Sequence, residues 1–152
     1  MTKVRIQLGS AEAIAELDEA GAPQTAKWLK SVLPLERQAI HSMESGREVF
    51  VVVDETHEHE LEEENQTIYQ TVGDLLVYYK PAIFVRSEWP RHIRDFLVVS
   101  FIYERDTAIR GTSGALASNL AGRITSGLDA LQREVPRMRR EGMGTMTLSA
   151  IK

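Results

Sequence analysis

The chain has 152 residues, of which 43% are hydrophobic and 26% charged, and it contains no cysteine. That composition suits one soluble domain, 1–152, and argues against disorder. Disulfides, thiolate nucleophiles, iron–sulfur clusters and cysteine-based zinc sites are excluded, and with no run of about 18 apolar residues a helical membrane span is not expected.

The net charge of −4 hides an asymmetry: residues 1–85 carry −8 and residues 86–152 carry +4. The acidic balance argues against nucleic acid as a partner. The first residues run straight into a strand-like pattern without signal-peptide features, so a cytoplasmic location is expected.

Val4, Ile6 and Leu8 alternate with polar neighbours and predict a half-buried strand. Ala11 to Leu17 reads two ways. Its Ala and Glu content favours a helix, while its position after Gly9-Ser10 suits a second strand. Pro23 opens a helix in the first turn, where its missing N–H is not needed, and that helix runs to about Val32. Residues 39–43 and 48–53 predict two strands around the turn Ser45-Gly46-Arg47; the run Val51-Val52-Val53 disfavours helix. Leu75 to Tyr79, Ile83 to Val85, Phe96 to Tyr103 and Leu120 to Thr125 predict further strands. Leu128, Leu131, Val135 and Met138 mark one face of a helix, which Pro136 is expected to kink or end early. Met146 to Ile151 predicts a closing strand. About eight strands with two helices point to a mainly β fold closed into a barrel, which leaves no exposed edges.

Three stretches resemble the cyclophilins: Ala22-Pro23-Gln24-Thr25 opening a helix after two strands, Gly122-Arg123-Ile124-Thr125-Ser126-Gly127-Leu128 joining a strand to a helix, and the closing strand at Thr145 to Ser149. A closer resemblance, over nearly the whole chain, is to the DUF3830 family of small bacterial cyclophilin-like proteins. It is carried by Leu33-Pro34-Leu35 leading into Ala39-Ile40-His41, Ser45-Gly46, Asn65-Gln66-Thr67, Gly73 to Tyr78, and Leu116 to Asn119. The resemblance implies a cyclophilin-like closed barrel without prolyl isomerase activity. Cyclophilins place an arginine after the corresponding histidine, where this chain has Ser42, and their Phe-Met-x-Gln-Gly-Gly-Asp stretch is replaced by Glu48 to Asp54.

Several clusters bear chemistry. His41, on an expected strand near Glu44, Arg47 and Glu48, suits acid–base work with Glu44 or Glu48, or a ligand hydrogen bond. His57 and His59 would share a strand face, but seven acids in residues 54–64 make that segment a solvated loop, and no metal or cofactor is expected. Arg86, Arg91, His92 and Arg94 around Trp89 suit an anion or an interface. Residues 110–114 lack the ending of a phosphate loop. Arg133, Arg137, Arg139 and Arg140 read as a solvated helix face or a docking surface for acidic residues 54–64 of another copy. A homo-oligomer is therefore expected.

The expected function is binding of a small anionic metabolite in a cleft formed by the His41 strand, the Tyr78-Tyr79 strand and the 113–119 loop. His41, Tyr79, Arg86, Ser113 and Asn119 are its expected ligand-binding residues. The alternative is an enzyme, either a degenerate prolyl isomerase or a hydrolase or isomerase of small metabolites using His41.

Overall fold

A computed structural model describes residues 1–54, 61–81, 95–111 and 114–152. In chain order the elements are β1 (Lys3–Leu8), β2 (Ala11–Leu17), α1 (Pro23–Val32), β3 (Leu35–Gln38), β4 (Ile40–His41), β5 (Glu48–Asp54), β6 (Gln66–Thr67), β7 (Asp74–Pro81), β8 (Asp95–Ile102), β9 (Arg110–Gly111), β10 (Gly114–Ala115), β11 (Ser118–Ser126), α2 (Leu128–Glu141) and β12 (Thr145–Ile151). Among the described residues, no helix is long and apolar enough to cross a membrane. The predicted strand at Ile83 to Val85 lies outside the described residues.

The mainly β class and the two helices agree with the sequence. The closed barrel of about eight strands does not. Ten strands form one antiparallel sheet in the order β3-β12-β1-β2-β11-β7-β8-β5-β4, with β6 on β11, and β9 and β10 pair separately. The ends of the ladder, β3 and β4, are successive pieces of one extended segment. Its first half pairs with β12 and its second half with β5, and the switch falls at Ala39, whose N–H donates to the Gly144 carbonyl at 2.9 Å. Since each half has one partner strand, the ladder stays open. The strand expected over residues 39–43 is only the two-residue β4; the additional strands are the four-residue β3 and the two-residue β6, β9 and β10, too short to leave a clear alternation in the sequence.

Residues 11–17 resolve as a strand. Ala11, Ala13, Ala15 and Leu17 are buried on one face, and ladders to β1 and β11 satisfy both backbone edges. Tertiary pairing overrides the helical preference of alanine and glutamate here. Strands β5, β7 and β8 are buried on both faces. Val49, Val51, Leu75, Val77, Val99 and Phe101 belong to the main core, and Phe50, Leu76, Tyr78, Val98 and Ile102 to a second cluster with Ile109. Burial on both faces explains why these stretches read as unbroken apolar runs.

Helix α1 begins where Pro23 predicted. It has no side-chain cap at Ala22; instead the Thr25 N–H donates to Glu64 Oε1 at 2.5 Å, a cap from another part of the chain. Helix α2 runs through Pro136 to Glu141 rather than ending early. Proline costs the helix one hydrogen bond, to the Gln132 carbonyl. Both residues border an open cleft, and packing of Leu131, Val135 and Met138 into the core holds the helix on either side.

Glu134 pins α2 to the β1–β2 turn. Its carboxylate accepts from Ser10 Oγ at 2.7 Å and pairs with Arg137. Hydrogen bonds from Arg137 first, then from Ser10, lower its pKa from 4.5 to about 2. A depressed carboxylate stabilises the fold above its unfolded-state pKa, and that contribution is lost as pH falls through the folded value. Glu134→Gln is therefore expected to flatten the loss of stability between about pH 5 and pH 2, read by urea unfolding at each pH. An unchanged acid limb in the variant would show that other carboxylates set it.

Candidate functional site

His41 ends β4 and begins the turn into β5. The turn is bound to the segment after β8: Ala108 N–H donates to the Ser45 carbonyl at 2.9 Å, Arg47 N–H to Thr107 Oγ1 at 3.0 Å, and Tyr103 N–H to the Arg47 carbonyl at 3.1 Å. Gly46 permits this approach. Its φ is +104°, and a Cβ there would lie 2.7 Å from the Asp106 carbonyl oxygen. The turn thereby brings Arg47 beside Tyr103.

The His41 ring is held at both nitrogens. Nδ1 lies 2.8 Å from the Ser42 carbonyl and Nε2 lies 2.7 Å from the Tyr103 hydroxyl. A carbonyl only accepts, so Nδ1 carries the proton of the neutral ring. Nε2 then accepts from Tyr103. The rings meet edge to face, with centroids 5.7 Å apart. Burial lowers the His41 pKa, and the nearby Arg139 guanidinium lowers it further, against the Ser42 hydrogen bond. Burial raises the Tyr103 pKa, while Arg139 and Arg47 pull it back.

Beside this pair is a cleft of about 680 Å³ between α2 and the strand end at Tyr103. Its wall includes Tyr103, Arg47, Arg105, Arg139, Arg140 and one acid, Glu104. Arg47 and Arg105 share Asp106 at 3.7 and 3.5 Å. Arg139 and Arg140 are exposed and make no ion pair among the described residues. Two of the helix arginines do form the solvated face the sequence predicted: Arg133 pairs with Asp129, and Arg137 with Glu134 and Glu141.

Glu48 does not join His41. Strand alternation turns it to the opposite face, where it is fully buried and Oε2 accepts from the Tyr78 hydroxyl at 2.6 Å. Burial, then the Glu48 charge, pushes the Tyr78 pKa well up. Glu44 is exposed on the turn. The expected His41–carboxylate pair is thus replaced by His41–Tyr103.

Tyr79 and Asn119 come together, but in a different cavity of about 250 Å³ that also includes Tyr78, Glu62 and Gln66. Tyr79 accepts the Leu61 N–H at 3.0 Å. Asn119, 2% exposed, donates to Thr25 Oγ1 at 2.9 Å and to the Glu62 carbonyl at 2.7 Å, and accepts from the Glu64 N–H at 3.4 Å. His41 pairs with Val49, which faces Phe101, whereas Tyr79 faces Leu97. Four residues of strand, about 13 Å, separate the two positions. A single cleft containing His41, Tyr79 and Asn119 is therefore not formed.

The family described as a protein of unknown function (DUF3830) matches residues 4–150. The chain belongs to the DUF3830 family. No curated protein matches the sequence of this DUF3830 protein. Its fold is similar to that of McbB, solved in complex with tryptophan, with a TM-score of 0.65 at 14% identity over 96% of this chain. The chain spans 44% of the McbB chain. It is also similar to the solution structure of a hypothetical protein from Archaeoglobus fulgidus, with a TM-score of 0.58 at 21% identity, covering 97% of this chain and 93% of that one. At these identities the likeness concerns the fold.

Arg86, Ser113, His57, His59 and the cluster around Trp89 lie outside the described residues of this DUF3830 protein. Among the described residues, no group of three or more metal-ligating side chains occurs. Residues 110–111 and 114–115 pair as the short β9 and β10. Sequence reasoning missed Tyr103; it expected Arg139 and Arg140 on a solvated helix face, and they are exposed there, beside the cleft. The available signal was a tyrosine closing an apolar strand, followed by Glu104 and Arg105.

Proposed function

We propose that this DUF3830 protein binds a small anionic metabolite in the cleft between α2 and Tyr103. The observation that carries the reading is Arg139 and Arg140 facing a shared cleft with Arg47 and Arg105 and without a carboxylate partner among the described residues. Guanidinium forks match carboxylate and phosphate geometry, and they concentrate negative ligands where few acids oppose them. The volume is in the small-molecule range. McbB, of similar fold, is solved with tryptophan, a small carboxylate-bearing molecule. The cyclophilin-like wrap remains part of the proposal, with segment 35–41 bridging the sheet ends. Prolyl isomerisation is not: Ser42, at the place of the cyclophilin arginine, is 2% exposed and accepts from the Ser45 N–H at 3.1 Å.

Calorimetric titration at low salt with citrate, 2-oxoglutarate and phosphate tests the reading. Each charge-assisted hydrogen bond is worth about 1.5–3 kcal/mol, so Arg139→Gln/Arg140→Gln is expected to weaken binding by about 100-fold or more. Both side chains lie in the last turn of α2, where loss of the dipole interaction costs only about 0.3–1 kcal/mol each, so the variant should stay folded. Binding that is equal in wild type and variant, or no binding of any of the three anions, overturns the proposal.

A further inference from the structure

Tyr103 is only 4% exposed, yet it borders the arginine cleft. Its hydroxyl proton is committed to His41 Nε2, because Nδ1 uses its own proton on the Ser42 carbonyl. The phenol oxygen keeps its lone pairs as acceptors, and Tyr103 is part of the cleft wall. Behind it stands a base, and behind the base an acceptor that orients it. A reacting group, a proton acceptor and an orienting group, joined by successive hydrogen bonds of 2.7 and 2.8 Å, are the parts of a proton-transfer relay.

We propose that the cleft is catalytic: Tyr103, backed by His41, moves a proton to and from the carbon next to the carbonyl of a small 2-oxo carboxylate held by Arg47, Arg139 and Arg140. The inference rests on the anion-binding reading above. In the forward step the substrate C–H bond breaks and its proton bonds to the Tyr103 oxygen. The original phenol proton passes to His41 Nε2, and the electron pair stays on the substrate as an enolate. The Ser42 carbonyl supports the resulting imidazolium through Nδ1–H. The enolate oxygen develops its charge beside guanidiniums already in place. Once the proton on the Tyr103 oxygen has exchanged with solvent, delivery of a solvent-derived proton to carbon completes hydrogen exchange there, and delivery to oxygen gives the enol. The proton count balances, and no oxidant or reductant is consumed. Arg139 opposes charge on His41; an anionic substrate held by Arg139 offsets that opposition.

The test is the full chain with 2-oxoglutarate in deuterium oxide, following loss of the C3 methylene proton signal by NMR, with affinity measured on the same samples. The wild type is expected to accelerate exchange over buffer. Tyr103→Phe is expected to slow that exchange by about 100-fold or more while affinity changes by less than about threefold. Where Tyr103→Phe loses its fold, as read from the melting temperature, His41→Gln serves instead, since glutamine can still accept from Tyr103 but is not a base. Binding without exchange above buffer, or undiminished exchange in both variants, overturns the proton transfer and leaves the anion site standing. Absence of binding by 2-oxoglutarate, citrate and phosphate alike overturns the anion site and this inference with it.

Discussion

Gly127→Ala is expected to be the most damaging single-methyl change in the chain. Gly127 sits between β11 and α2 with φ +79°, in the left-handed region that side chains disfavour. A Cβ there would run into the Glu12 carbonyl oxygen and lie 2.7 Å from the Ala13 Cα, so backbone rather than a flexible side chain must give way. Its carbonyl also accepts from the Ala130 and Leu131 N–H groups at the start of α2. Strained backbone costs about 1–3 kcal/mol and overpacking about as much again, so a loss of about 3 kcal/mol or more is expected. For a domain of this size that lowers the melting temperature by on the order of 10 °C. Thermal unfolding followed by circular dichroism measures it. A shift of only a degree or two would mean that β2 can move away from the β11–α2 junction at little cost.

The second large effect is expected at Asn119, for a reason opposite to the one its sequence position suggested. Its side-chain amide ties Thr25 on α1 to Glu62 and Glu64, and Glu64 in turn caps α1. Removing a buried amide leaves its partners unsatisfied, at about 1–3 kcal/mol for each group that water cannot reach. Asn119→Ala is therefore expected to cost about 2–4 kcal/mol and to speed hydrogen exchange at the Thr25 amide, because the 61–64 segment loses its anchor. Anion binding in the arginine cleft should stay within experimental scatter, since Asn119 contributes to a different cavity. A variant of normal stability that no longer binds anions would restore Asn119 as a ligand residue and remove the stitching role.

These two positions show where sequence reading succeeds and where it stops. Gly127 was legible as part of a strand-to-helix junction, through the resemblance of Gly122 to Leu128 to a cyclophilin stretch and the apolar stripe that begins at Leu128. Asn119 was legible as the end of the Leu116-to-Asn119 motif and was expected to bind ligand. Whether such an amide faces a ligand or ties chain segments together depends on segments 94 and 57 residues away. His41 is similar. Its place beside a turn could be read, but its partner, Tyr103, is 62 residues distant, while the carboxylate expected from proximity, Glu48, points to the other face of the sheet. The even–odd alternation of a strand makes neighbours in sequence poor guides to neighbours in space.

The mainly β class, most of the longer strands and both helices follow from short-range rules: alternation at Val4, Ile6 and Leu8, a proline at the start of α1, a stripe at Leu128 to Met138. The family came instead from a resemblance carried by the order of short motifs over nearly the whole chain. The tertiary structure decided that residues 11–17 are a strand, that segment 35–41 divides between two ladders, and that Arg139 and Arg140 face a cleft while Arg133 and Arg137 pair along the helix. Those outcomes depend on strand register and on contacts between distant segments. A residue's local pattern specifies which face is apolar, but only the packed chain specifies what lies against it.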